Sequence, residues 1–155
     1  MTRADILQRL IAARPARQDS LLPILHAIQD ELGWVPPEAT PAIARALNLS
    51  RAEVHGVVSF YHHFRTAPPG RHVLQLCCAE ACQARGSAAL AAHARAVLGI
   101  DFDETSADGA VSLAPVYCLG NCACGPSLRV GDTVLGRVDA ARLDALLLTL
   151  REDLQ

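Results

Sequence analysis

The sequence has no lysine, and cysteine is absent from its first 76 residues and from its last 31. All 14 basic residues are arginine, and against 16 acidic residues they leave a net charge of −2. A nucleic-acid-binding chain needs a basic face that neutralises phosphates, and this composition supplies none. We therefore expect no nucleic-acid partner.

Long apolar segments are also missing. No run approaches the roughly 20 apolar residues of a membrane-spanning helix, and Met1 to Asp5 lack the apolar segment of a secretory signal. We therefore expect a cytoplasmic protein without membrane insertion, in a compartment where thiols stay reduced. Hydrophobic residues make up 51% of the 155 positions, enough for one compact domain or a small domain with an appendage.

The cysteines that are present fall into two short clusters. Their members are Cys77, Cys78 and Cys82 in the first cluster and Cys118, Cys122 and Cys124 in the second. A disulfide framework spreads cysteines across a fold to close loops, whereas a metal site gathers them in short loops. The pattern therefore indicates a metal centre with sulfur ligands.

The spacing within the clusters limits the choice of metal. One pair from each cluster, Cys77-x4-Cys82 and Cys118-x3-Cys122, supplies four thiolates. Structural zinc accepts four cysteines at such spacings, and a 2Fe–2S cluster also takes four, two on each iron. The plant-type ferredoxin order is absent, and no Cys-x-x-Cys precedes a helix as a redox motif requires. Spacing alone leaves iron–sulfur, zinc and, less favoured, disulfide or thiol chemistry open.

Other candidate residues have simpler interpretations. Cys78 and Cys124 are expected to be small buried residues, with a substitute ligand or a damage-induced disulfide as the alternative. Two histidines replace cysteines in Rieske clusters, but none of the six histidines here has the matching position beside a cysteine. Phe60, Tyr61 and Phe64 are expected to pack in the core rather than against a partner.

The first part of the chain has the periodicity of helices. Apolar residues at helical spacing predict helices over residues 4–14, 20–32 and about 38–47. Ser20 is expected to cap the second helix, and Gly33 to end it.

A fourth helix is predicted to start at Ser50. Ser50 and Glu53 have the spacing of a capping box, with Leu49 and Val54 placed to form a hydrophobic staple around it. The spacing of apolar residues along the preceding helix and this one also resembles that of a DNA-binding helix-turn-helix. The second helix, however, turns apolar after one arginine and could not neutralise phosphates, so a packed helical hairpin is favoured.

A Pro-Pro-Gly break at residues 67–70 divides the chain, and it predicts domains 1–66 and 71–155. The elements expected beyond it are a strand at His72–Leu76, a helix at 86–98 ending at Gly99, a strand running to Tyr117, a hairpin from Leu128 to Leu135 and a final helix capped by Asp139. In the helix at 86–98, Leu90, Ala94, Val97 and Leu98 are expected to face inward.

Both cysteine clusters thus directly follow predicted strands. If the two strands are neighbours in one sheet, both loops emerge at the same edge and four thiolates can converge. Gly120 lacks a side chain and would let backbone N–H groups approach the sulfurs.

Four motifs, in order, resemble the thioredoxin-like 2Fe–2S ferredoxin family. They are residues 22–37 (LPILHAIQDELGWVPP), 49–61 (LSRAEVHGVVSFY), 71–82 (RHVLQLCCAEAC) and 116–122 (VYCLGNC). The resemblance covers about residues 5–150. It implies an α/β protein in which an N-terminal helical bundle is followed by a thioredoxin-like 2Fe–2S ferredoxin domain.

The resemblance also implies a cofactor and its ligands. Cys77, Cys82, Cys118 and Cys122 would hold one 2Fe–2S cluster per chain. The sequence departs from the usual family pattern at Cys124-Gly125-Pro126, where relatives of the NADH:quinone oxidoreductase type have Ala-Pro. This departure leaves the role of Cys124 open.

Members of the family are small subunits of NADH:quinone oxidoreductases and of related NAD-linked hydrogenases and formate dehydrogenases. Within the family, this sequence looks most like the gamma-type subunits of soluble, molybdenum-dependent, NAD-linked formate dehydrogenases. The resemblance implies a one-electron relay in a hetero-oligomer with a flavoprotein subunit that carries FMN and binds NAD, and with a larger catalytic subunit.

The chain itself has no Gly-rich nucleotide loop and no general-base constellation. We therefore expect FMN and NAD only on the partner, and no catalysis by this chain alone. The alternative function is a zinc-stabilised interaction module without a redox role.

Overall fold

The computed structural model describes residues 2–152. The chain divides into two compact units, the first ending at Pro68 and the second beginning at Pro69. Each unit has a hydrophobic core of its own. None of the described helices is long and apolar enough to cross a membrane.

The first unit is helical. Its α-helices are α1 (Arg3–Ala12), α2 (Leu21–Leu32), α3 (Ala39–Leu47) and α4 (Arg51–Phe60). Their buried side chains are mainly Leu, Ile, Val and Ala, and they form one core cluster around Ile24, Leu25, Ile28, Ile43 and Val54.

The start of α2 differs from the prediction. Ser20 immediately precedes α2, but its side chain makes no capping hydrogen bond. A short 3₁₀ turn, Gln18–Ser20, leads directly into α2, so the backbone of Ser20 already has helical angles. An N-capping serine normally has an extended backbone, which directs its hydroxyl to the first free N–H groups. The end of α2 was predicted correctly, at Gly33 with φ of +82°.

The capping box of α4 is confirmed. The backbone N–H of Glu53 donates to Oγ of Ser50 at 3.1 Å, and the backbone N–H of Ser50 donates to Oε2 of Glu53 at 2.8 Å. Val54 is fully buried, and Leu49 packs against the same core. The two residues thus lie where a hydrophobic staple would place them.

The core prediction is right for Phe64 but wrong for Phe60 and Tyr61. Phe64 is 6% exposed, whereas Phe60 is 74% and Tyr61 is 43% exposed. The buried face of α4 runs through Val54 and Val58, four residues apart. Phe60 follows Val58 by two positions, which turns its side chain to the opposite face of a helix.

A buried glutamine holds the end of the first unit in place. Nε2 of Gln29 donates to the carbonyl of His63 at 2.7 Å, and Oε1 of Gln29 accepts from the backbone N–H of Arg65 at 2.7 Å. The carbonyl of Arg65 in turn accepts from the N–H of Val35 at 2.8 Å. The segment before Pro68 is therefore anchored to α2 through both ends of one side-chain amide.

The second unit combines a sheet with helices. Its elements are β1 (His72–Cys77), α5 (Glu80–Gln83), α6 (Ser87–Leu98), β2 (Glu104–Thr105), β3 (Val111–Val116), a 3₁₀ turn (Cys122–Cys124), β4 (Leu128–Val130), β5 (Thr133–Leu135) and α7 (Ala140–Glu152). The predicted hairpin is confirmed, and Asp139 caps α7 through Oδ1, which accepts from the N–H of Arg142 at 2.8 Å. The prediction missed α5 and β2 because both are too short to have a readable period.

The sheet has the strand order β2-β3-β1-β4-β5. The central strands β1 and β3 are parallel neighbours, with Cys77 opposite Val116, and β4 lies antiparallel on the other side of β1. The two segments that follow β1 and β3 therefore leave the same edge of the sheet, as predicted. This edge is where both cysteine clusters begin.

The core of the second unit lies among the sheet, α6 and α7, and includes Leu74, Leu76, Leu113, Leu143 and Leu147. On α6 the buried residues are Leu90, Ala91, Ala94 and Leu98, together with Ser87 at the first position. The prediction for Val97 is wrong, because this residue is 41% exposed. It falls at the margin of the arc that the buried residues describe around the helix axis.

Candidate metal centre

The first cysteine pair is buried. Cys77 is the last residue of β1, Cys82 lies in α5, and each is 2% exposed. The short helix α5 turns the chain back, which brings Cys82 close enough to Cys77 for each thiol to shift the pKa of the other.

The second pair is exposed. The Sγ atoms of Cys118 and Cys122 lie 3.7 Å apart, on the loop that follows β3. Cys118 has a φ of +115°, a strained angle for a residue with a side chain. Gly120, with a φ of +74°, donates its backbone N–H to Sγ of Cys118 at 3.3 Å. The N–H approach expected of Gly120 is therefore present.

The two loops meet at the sulfur of Cys77. Burial raises the pKa of the Cys77 thiol, but hydrogen bonds from the backbone N–H of Ala79, the thiol of Cys82 and the N–H groups of Leu119 and Cys118 outweigh it and lower the pKa. Ala79 belongs to the first loop, whereas Leu119 and Cys118 belong to the second. Amides from both loops thus stabilise negative charge on one sulfur.

Ser127 links the same two loops, and sequence reasoning missed it. Its carbonyl accepts from the N–H of Cys77 at 3.0 Å, and its backbone N–H acts to lower the pKa of Cys82. Its hydroxyl accepts from Nδ2 of Asn121 at 3.2 Å, and the residue is 1% exposed. Burial and the hydrogen bond with Cys77 raise the pKa of Cys82, and the amide of Ser127 only partly opposes them.

Two glycines permit close approach to the cysteine loops. A Cβ on Gly125 would lie 3.1 Å from Sγ of Cys82. A Cβ on Gly136 would lie 2.5 Å from Nδ2 of Asn121 and 2.7 Å from the carbonyl oxygen of Cys124, closer than real Cβ contacts come. Gly136 therefore requires glycine, whereas Gly125 leaves little room for a side chain. Both constraints come from tertiary contacts rather than from a turn angle, so no local pattern could indicate them.

The remaining cysteines occupy different environments. Cys78 packs against the core of the second unit, and its Sγ lies 3.5 Å from the carbonyl oxygen of Leu76. Burial, followed by the charge of Cys77, raises the pKa of Cys78. Cys124 is half-buried, and its carbonyl accepts from the N–H of Arg137 at 2.6 Å. None of the six cysteines forms a disulfide among the described residues.

The four cysteines of the predicted ligand set form two pairs. Across residues 2–152, no three His, Cys, Asp or Glu side chains surround a single point suitable for one ion. A 2Fe–2S cluster takes two cysteines on each iron and is stabilised by hydrogen bonds to its sulfurs. Two thiol pairs with amide donors at Cys77, Cys82 and Cys118 therefore fit a 2Fe–2S cluster.

Comparison with known sequences supports this fit. The sequence model of the thioredoxin-like [2Fe-2S] ferredoxin family matches residues 7–151. One of the NADH-quinone oxidoreductase subunits of Rhizobium meliloti is 40% identical over 97% of this chain and 90% of its own length. The HndA protein of the NADP-reducing hydrogenase of Solidesulfovibrio fructosivorans is 30% identical over 90% of this chain and 81% of its own length.

A solved structure has a similar fold. A chain in the crystal structure of an air-oxidised NAD+-reducing [NiFe]-hydrogenase superposes with a TM-score of 0.71 and 27% identity. The match covers 88% of the present chain but only 23% of the hydrogenase chain. With the family model matched along nearly its whole length, the present chain belongs to the thioredoxin-like [2Fe-2S] ferredoxin family.

Proposed function

We propose that the chain is the one-electron relay subunit of an NAD-dependent oxidoreductase complex, with its 2Fe–2S cluster held by Cys77, Cys82, Cys118 and Cys122. The observation that carries this proposal is the pairing of these cysteines at the ends of parallel neighbouring strands, with amides from both loops on Cys77. When bound, such a cluster takes up and releases single electrons.

The residues of the site have separable roles in this proposal. Cys77 and Cys82, at 2% exposure each, would hold the inner side of the group away from water. Cys118 and Cys122 are exposed and would form the side that a redox partner can approach. The amides on Cys77 and Cys118 would stabilise negative charge on sulfur, which raises the potential of an iron–sulfur centre.

The partner in this proposal is a flavoprotein subunit that carries FMN and binds NAD, in a hetero-oligomer with a larger catalytic subunit. The names of the similar proteins support it, because each describes a complex that acts on NADH, NADP or NAD+. The resemblance of the sequence favours a formate dehydrogenase as the whole complex. A cytoplasmic location agrees with six unpaired thiols, which persist in reducing compartments.

The test is purification of the native complex through a tagged form of this chain. We expect about two irons and two sulfides per chain, a rhombic EPR signal after reduction, and a flavin-containing subunit. Zinc without iron, in a colourless protein, would refute the relay and favour the zinc-stabilised module. Formate-dependent reduction of NAD+ by the complex would support the finer assignment, and a hydrogenase or quinone-reducing subunit set would overturn only that assignment.

A further inference from the structure

A cleft of about 440 Å³ lies in the second unit beside the cysteine loops. Its floor is largely apolar and includes Leu90, Pro126 and Val138, and its two basic side chains are Arg85 and Arg137. Nothing in the proposed relay uses these arginines.

Both arginines are exposed, and neither guanidinium forms an ion pair or hydrogen bond within residues 2–152. The carboxylate of Asp139 also lines the cleft, but its Oδ1 accepts the N–H of Arg142 at the start of α7. The cleft thus holds two positive charges against one carboxylate that is already hydrogen-bonded. The surplus charge is positive in a chain whose net charge is −2.

The cleft adjoins the metal centre. Gly125 lines it, and the position of a Cβ on Gly125 lies 3.2 Å from Cδ of Arg85 and 3.1 Å from Sγ of Cys82. The backbone of Arg137 is bonded to the second cysteine loop, because its N–H donates to the carbonyl of Cys124. A group held between the two guanidiniums would therefore sit next to both cysteine loops.

We propose that the cleft between Arg85 and Arg137 receives carboxylate side chains of the subunit that exchanges electrons with this chain. The proposal rests on the proposed function. A guanidinium binds a carboxylate through two parallel hydrogen bonds, which fixes orientation as well as charge. Contacts of this kind beside the metal centre would steer the encounter and set the register of the two subunits.

The exposure of the arginines favours a protein surface over a small anion as the occupant. Two exposed charges gain little from a free anion in water, because solvent and salt screen the attraction. Inside a subunit interface the same pairs lose water and strengthen. The apolar floor of the cleft would be covered by the same contact.

The test measures the affinity of the full-length, cluster-loaded chain for the purified flavoprotein subunit at several salt concentrations. Arg85→Gln and Arg137→Gln should each weaken association several-fold, and the double variant by about tenfold or more, with a shallower dependence on salt. Arg71→Gln is the control, because Arg71 is also exposed and has no described ion pair. The double variant Arg85→Lys, Arg137→Lys should keep the salt dependence of the wild type. Its affinity should lie between those of the wild type and the glutamine double variant, because lysine cannot form the two parallel hydrogen bonds of arginine.

The visible spectrum should be unchanged in all these variants, since none removes a cysteine. If the double variant binds like Arg71→Gln, the cleft is not the docking site, although the relay function stands. Saturable binding of inorganic phosphate with unaltered subunit affinity would also overturn the proposal, in favour of a small-anion site. If the wild-type chain does not bind the flavoprotein, the proposed function falls and this inference falls with it.

Discussion

Nδ2 of Asn121 donates a hydrogen bond to the hydroxyl oxygen of Ser127 at 3.2 Å, which ties the second cysteine loop to the segment that contacts the first. The backbone of Ser127 already contacts Cys77 through its carbonyl and acts on the pKa of Cys82 through its N–H. The hydroxyl is therefore the part of the link that a substitution can remove selectively.

Ser127→Ala should leave the cluster assembled but less firmly held, because the half-buried amide of Asn121 loses its acceptor. We expect faster loss of iron to a chelator, followed by bleaching of the visible absorption. Ser59→Ala is the matched control, since its exposed hydroxyl bonds only to the carbonyl of Gly56. Equal bleaching rates for the two variants would show that the hydroxyl does not position the loop.

Gly136→Ala and Gly56→Ala should change stability in opposite directions. A Cβ on Gly136 meets Asn121 and Cys124 at 2.5–2.9 Å, and we expect a loss of about 1–3 kcal/mol from such overpacking. A Cβ on Gly56, inside helix α4, meets nothing within 4 Å, so alanine should gain about 0.5–1 kcal/mol. Denaturant unfolding of each variant measures both changes. A neutral Gly136→Ala would mean that the hairpin shifts away from the loop without cost.

Serine substitutions should separate ligands from bystanders. Replacing Cys77, Cys82, Cys118 or Cys122 exchanges a soft thiolate for a harder oxygen that holds iron poorly, so the cluster should be lost or its EPR spectrum strongly changed. Cys78→Ser, the half-buried neighbour, should keep about two irons per chain.

Cys124→Ser tests the fourth ligand. We expect it to keep iron, because Cys122 already lies 3.7 Å from Cys118. If Cys124→Ser loses iron while Cys122→Ser retains it, then Cys124 is the ligand and the proposed set is wrong.

The capping box of α4 should make the first unit sensitive to acid. The backbone N–H and then the hydroxyl of Ser50 hold the pKa of Glu53 below its ordinary 4.5. A carboxyl group whose pKa is lower in the folded chain than in the unfolded chain stabilises the fold at a pH above its unfolded-state pKa. This contribution is lost as the pH falls through the folded-state pKa. Glu53→Gln keeps a hydrogen-bond acceptor but does not titrate. Its free energy of unfolding should therefore fall less than that of the wild type when the pH is lowered below about 4.5, as measured by denaturant unfolding at several pH values.

Residues 69–155 alone should still assemble the cluster, because the second unit has its own core and all six cysteines. We expect this fragment to bind the flavoprotein more weakly than the full chain, since we infer that the helical unit contributes to docking. Titration of both forms against the same flavoprotein preparation checks this. Equal affinities would assign the whole interface to the second unit.

The features that the residue pattern predicted correctly are local. Two cysteine clusters directly after strands indicated a sulfur-ligated centre, and the family that four motifs of the sequence resemble is the one that matches. The capping box at Ser50 and Glu53, the ending of α2 at Gly33 and the β4–β5 hairpin were readable because each depends on residues within a few positions.

The remaining features depend on contacts between elements that are distant in the sequence. Ser127 and Gly136 contact the cysteine loops only because β4 lies beside β1 and β5 lies beside β4. No pattern in their own neighbourhood indicates these contacts. Phe60 and Tyr61 were predicted to lie in the core, but Phe60 is on the solvent side of α4, and Tyr61, which follows the helix, is also exposed. A sequence records which groups are present and how they are spaced along one element. Which elements pack together, and therefore which amide meets which sulfur, is set by the free energy of burying the whole core.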